Sequence, residues 1–132
     1  MTSQEIFNKV CEHLMTQKAK AVIQEENESV PTCMYRTPEG LKCAVGGLIP
    51  DEMYNPVIEG KPFNLMGLDD CPELNGIAQK LGLIEDIDLI HRLQRIHDSD
   101  RIEDWSKRLR RVGENHDLEI PKCLLTTQDS VL

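Results

Sequence analysis

No apolar run in this chain approaches the ~20 residues needed to cross a bilayer, and no lipidation signal is present, so no membrane partner is expected. The first residues also lack the basic-then-apolar pattern of a secretory leader. Cysteine occurs five times, an odd number whose spacings form no disulfide framework, and free thiols in a reducing cytosol are therefore expected. Positive charge is in short supply: 15 Lys and Arg stand against 23 Asp and Glu, a formal net charge of −8. That balance argues against broad binding to nucleic-acid backbones, whose affinity comes from cations displacing counterions. No spacing matches a metal, phosphate or catalytic signature of known mechanics, so no cofactor is expected.

What remains is enough chain for one ordinary domain. A length of 132 residues should bury about two-thirds of the surface its unfolded form exposes, without a metal or disulfide. The domain is expected over residues 1–120, with residues 121–132 a loosely attached tail because Pro121 to Leu132 shows no sustained period. Charge is unevenly spread. Arg92, Arg95, Arg101, Lys107, Arg108, Arg110 and Arg111 follow a largely acidic first two-thirds, a dipolar surface that suits a protein partner of mixed charge. A solvated helix face would carry the same residues.

The periodicity predicts an α+β domain that is mainly α, with four to five short helices packed on one small hairpin. Thr2 and Glu5 form a capping box, and Ile6, Phe7, Val10, Cys11, Leu14 and Met15 then recur at helical spacing. This predicts a helix over Ser3–Gln17, with an extension through Ile23, followed by a polar loop from Gln24 to Ser29. Cys33–Arg36 and Leu41–Val45 flank Thr37-Pro38-Glu39-Gly40 and predict the hairpin. A three-residue loop with Gly40 as a bulge would make Cys33 and Cys43 face each other, and a two-residue loop would leave them offset on opposite faces; the sequence does not choose. Val57 to Asp70 reads as an irregular crossing anchored by Phe63, Leu65 and Leu68. Three helices follow. The first has Pro72 in its opening turn and stops at Gly82; the second runs from about Asp86 to His97 with Ile87, Ile90 and Leu93 inward, joined by either Ile96 or His97. The third is capped by Asp100 and Glu103 and carries the stripe Ile102, Trp105, Leu109 and Val112.

Several chemistries are weighed on these segments. Ala78, Gly82 and Leu83 resemble the middle of a DNA-binding helix-turn-helix, but Glu85, Asp86 and Asp88 would then face phosphates, which argues against it. Zinc would require four converging ligands; Cys33 and Cys43 lack the spacing of a zinc knuckle and His91 and His97 point in different directions on a helix, which leaves only a fold-dependent site of Cys33, Cys43 and His97. A thiol enzyme would need a base near an activated cysteine: Cys43 beside Lys42, with His97 and Asp98 at a helix end, supplies the residue types as weak catalytic candidates. Tyr35 and Arg36 could stack on and grip an anionic or planar ligand, although Tyr35 could equally be core. The candidate binding surface is therefore Tyr35, Arg36, Lys42, Cys43 and His97.

Cys33-Met34-Tyr35-Arg36, Gly40, Lys42-Cys43-Ala44-Val45-Gly46, Leu48-Ile49-Pro50-Asp51, Tyr54, Glu59-Gly60, the later Leu93 to Asp98 and Trp105 together resemble a family of small uncharacterised proteins from bacteria and tailed phages. The resemblance covers most of Gln4 to Leu118 and implies a prokaryotic or phage origin, with no mechanism attached. The expected function is a small acidic intracellular binding or interaction protein, a phage-encoded accessory factor or inhibitor acting on a host component in the host cytoplasm. Its partner is expected to be a protein, with a small-molecule ligand next. The alternative is a cysteine-dependent enzyme or small-ligand binder using Cys43 and His97.

Overall fold

Thr2 and Glu5 close the start of the first helix reciprocally. The Glu5 amide donates to Thr2 Oγ1 at 3.1 Å and the Thr2 amide donates to Glu5 Oε1 at 2.8 Å, satisfying donors that a helix start leaves free. This helix, α1, spans Ser3–Gln17 and buries Ile6, Phe7, Val10, Cys11 and Leu14 along one stripe. The computed structural model describes residues 1–24 and 32–125. Over them the protein is α+β and mainly α, with five helices and one two-stranded antiparallel sheet.

The extension of α1 to Ile23 does not form. Lys18 takes a left-handed φ of 48° and ends the helix, its amide donating to Leu14 O. Val22–Ile23 become strand β1, paired with β2, Thr32–Cys33. Bonds from distant residues outweigh the modest helix preference of Lys18 to Ala21: the Ala21 amide donates to His97 Nε2 at 2.9 Å, and Ala21 O accepts the Met34 amide at 2.8 Å. The loop expected over Gln24–Ser29 lies, after Gln24, outside the described residues.

The predicted hairpin shrinks to a single bridge, Arg36 opposite Lys42. Its turn forms with a three-residue loop, because the Thr37 amide donates to Leu41 O at 2.8 Å and Gly40 sits at φ +94°. Pairing then stops, since residues 46–48 coil into a tight turn. The sheet's ladder instead joins β2 to β1, a partner strand too short for any period to reveal, so Cys33 pairs with Val22 and does not face Cys43, which lies opposite Tyr35.

Residues 51–53 and 56–58 make two further single turns. The crossing expected to be irregular contains α2, Leu65–Asp70, started by Asn64, whose Oδ1 accepts the Gly67 amide at 2.8 Å. Phe63 and Leu68 are buried anchors, whereas Leu65 is 67% exposed. Helix α3, Pro72–Leu81, ends at Gly82 and buries Leu74, Ile77 and Ala78. Helix α4, Ile87–Ser99, buries both Ile96 and His97 in addition to Leu89, Ile90 and Leu93, while Ile87 is half-buried. Helix α5, Trp105–Asn115, begins after a turn at residues 102–104. The capping box expected from Asp100 and Glu103 is absent, because the Asp100 amide closes α4 on Ile96 O while Glu103 pairs with Arg101 at 3.2 Å. Ile102 is correspondingly exposed.

Helices α4 and α5 pack on each other and both cover α1, while α2 lies on α3. Of residues 121–132, expected as a loosely attached tail, 121–125 are described. Residues 122–124 form a turn against α1 and α5, Leu124 is fully buried, and Arg110 Nη2 donates to Leu124 O at 2.7 Å. A single apolar side chain, with no period to announce it, anchors this segment. No helix among the described residues is long and apolar enough to cross a membrane.

Candidate functional site

A cleft of about 340 Å³ opens between β2 with the residues that follow it, the 60–63 segment and one face of α4. Its apolar lining comes from Met34, Tyr35, Cys43, Pro62 and Phe63, and its polar walls from Lys61, His91, Gln94, Arg95 and Asp98. The α4 residues reach one wall because His91, Gln94, Arg95 and Asp98 recur at three- and four-residue spacing. The facing wall is fixed by Tyr35, whose hydroxyl donates to Lys61 O.

Gln94 ties α4 to the facing side of the cleft, and Glu59 braces that facing side from within. The Glu59 carboxylate accepts the Tyr35 amide at 2.9 Å, the Arg36 amide at 3.1 Å and the Tyr54 hydroxyl at 2.7 Å. Gln94 Oε1 accepts the Val45 amide at 2.9 Å while its Nε2 donates to Asp98 at 2.8 Å. Neither residue stood out in the sequence as a site residue. A Gln on a charged helix carries no signal, and Glu59 was visible only as part of a string.

The five residues expected to share one surface separate into three places. Neighbours on an extended segment point to opposite sides; Tyr35 and Cys43 therefore line the cleft, while Arg36 and Lys42 turn away from it and converge on Asp51 at 3.0 and 3.7 Å. Arg36 also lies over the Tyr54 ring, 4.5 Å from its centroid, and donates to Ile49 O at 3.3 Å. Its guanidinium ties the hairpin turn to the 49–54 segment. His97 lies fully buried in the core, and Asp98, next in sequence, reaches the cleft.

His97 has both ring nitrogens engaged. Its Nε2 accepts the Ala21 amide, which requires a lone pair there, so the proton resides on Nδ1 and is donated to Asp98 Oδ1 at 2.8 Å. Burial works against the Asp98 charge, yet hydrogen bonds from His97, Gln94 and Cys33 outweigh it and hold the carboxyl below its ordinary value. Cys33, His97 and Asp98 bring their donor atoms within 4.8 Å of one another. They do not suit a metal: one bound at Nδ1 would leave a proton on Nε2, aimed at the Ala21 N–H. Cys43 stands outside this group.

The thiols around the cleft are held protonated. Burial pushes Cys43 up to about 12, with Asp98 adding to it against an opposing bond from the Gly46 amide; burial followed by the Asp98 carboxylate takes Cys33 to about 11. Burial also raises Cys11. Raised thiol values stabilise the folded chain fully below the unfolded value near 9, and that contribution is lost as pH climbs through the folded values. Stability should therefore fall as pH rises above about 9 toward 12. Urea midpoints measured from pH 8 to 11 check this. Cys43→Ala should flatten the slope, and an unchanged midpoint up to pH 10.5 would contradict the assignment.

Comparison with known protein families, with curated protein sequences and with solved structures returns no match to this chain.

Proposed function

We propose that this is a small binding protein rather than an enzyme, and that its cleft receives an apolar group carrying an anionic end. One observation carries the reading: the thiols of Cys33 and Cys43 and the imidazole of His97, the groups a thiol enzyme here would use, are held protonated or already engaged. Cys43 is buried and protonated, Cys33 is held protonated beside the Asp98 carboxylate, and both nitrogens of His97 are occupied. Thiolate chemistry, or base catalysis by His97, needs one of these groups free.

The walls support the ligand class. Lys61 and Arg95 line the opening without an acidic partner among the described residues, above a floor of Tyr35 and Phe63. A protein presenting an acidic-aromatic or acidic-aliphatic side-chain pair fits this arrangement. The resemblance to small bacterial and tailed-phage proteins favours an accessory factor or inhibitor that engages a host component. All five cysteines are unpaired, which accords with a reducing cytoplasm, the host's if the chain is phage-encoded.

Iodoacetamide labelling of the native protein, followed site by site with mass spectrometry, tests the central point. Cys43 should stay unlabelled at pH 7 and react on denaturation, and Cys33 should react no faster than a free thiol. Rapid native labelling at either residue, with a pH midpoint below 8, would favour instead the thiol enzyme that uses Cys43 and His97.

A further inference from the structure

Beyond the cleft, we infer that the solvent face of α2 is a docking surface for a basic segment of a partner protein carrying apolar anchors. Helix α2 buries Gly67 and Leu68 and leaves Leu65, Met66, Asp69 and Asp70 outward, with Leu65 67% and Met66 75% exposed. These two are the most exposed of the large apolar side chains among the described residues. The helix does not need them for its own packing, since Leu68 and the preceding Phe63 provide its buried contacts. A Leu-Met pair offers an adaptable apolar contact, because the unbranched thioether side chain of Met reshapes to its partner.

Charge selects the occupant. Leu65 and Asp69, and likewise Met66 and Asp70, are four residues apart and so lie on shared lines of the helix surface. Neither Asp69 nor Asp70 has a cationic partner among the described residues, and exposed Glu73 follows within one turn of chain. A second copy would set these carboxylates against their own equivalents within a chain of net charge −8, whereas a segment with Lys or Arg beside Leu or Phe complements both elements. In sequence, the Lys61 to Phe63 segment that lines the cleft runs directly into Asn64 and α2.

The test uses fluorescein-labelled peptides of Lys-Lys-Leu-Leu repeats, with Glu-Glu-Leu-Leu and Lys-Lys-Ser-Ser repeats as comparisons, and reads anisotropy against the whole protein. The Lys-Leu peptide should bind, weaken as salt rises, and lose about tenfold or more in affinity to both Leu65→Ser/Met66→Ser and Asp69→Lys/Asp70→Lys. Circular dichroism and thermal melting of both variants should match the parent, because all four side chains are exposed. Three results would overturn the inference: equal affinity of the variants, equal binding of the Glu-Leu peptide, or concentration-dependent dimerisation that Leu65→Ser/Met66→Ser abolishes.

Discussion

Replacing Trp105 with alanine should lower the stability of the folded chain by about 3–5 kcal/mol, a large part of what a domain of this size possesses. Trp105 opens α5, is fully buried, and stacks on the His97 ring with centroids 5.7 Å apart and planes inclined by 29°. Its indole N–H donates to Asp100 O at 3.3 Å, fastening the junction between α4 and α5. Truncation would therefore leave a cavity, uncover one face of a buried imidazole and free a carbonyl at a helix end. Urea denaturation measures the loss, and Trp105→Phe, which keeps a ring on His97, should recover part of it. A midpoint for Trp105→Ala equal to the parent's would show that the residue does not hold this junction.

Gly46→Ala should be comparably severe for a different reason. A Cβ at this position would lie 1.9 Å from Tyr35 O and 2.9 Å from Tyr35 C, both backbone atoms that no rotamer change can move aside. Overpacking a well-packed site usually costs about 1–3 kcal/mol, and a clash with main chain belongs at or above the top of that range. The shift would reach the cleft, because Tyr35 and Cys43 line it and are joined by the hydrogen bond from the Cys43 amide to Tyr35 O. The same change at Gly76, inside α3 with nothing within 4 Å of a new Cβ, should instead stabilise by about 0.5–1 kcal/mol. The opposite signs separate steric collision from glycine's backbone entropy. Equal stability of Gly46→Ala and the parent would mean that the two segments do not meet this closely.

The elements legible in the sequence were those with a local cause. Thr2 and Glu5 marked where α1 starts, Pro72 and Gly82 bracketed α3, and the spacing of Trp105 and Leu109 placed α5 in the core. What could not be read depended on partners far along the chain. Ala21 leaves the helical path for His97, 76 positions away, and α2 is a single short helix whose cap, Asn64, precedes no apolar stripe. The candidate site was half visible for the same reason. Tyr35, Cys43 and Asp98 do line one cleft, but strand alternation sends Arg36 and Lys42 to Asp51, and His97 is spent on a backbone amide. Both Glu59 and Gln94 act through main-chain groups, and side chains that bind backbone leave no pattern in residue type.

The packing of α1 also bears on how the chain is made. Gln4 exchanges hydrogen bonds with the main chain of Glu119, 115 positions later, and the stripe containing Phe7 and Leu14 is covered by α4, α5 and the turn that buries Leu124. At synthesis rates of about 5–20 residues per second, the first helix emerges seconds before the residues that enclose it. Until those residues emerge it is an amphipathic segment with its apolar side open, a ready substrate for holding chaperones. A ribosome stalled before Leu124 would leave part of that stripe uncovered, because the last described turn is one of its three covers.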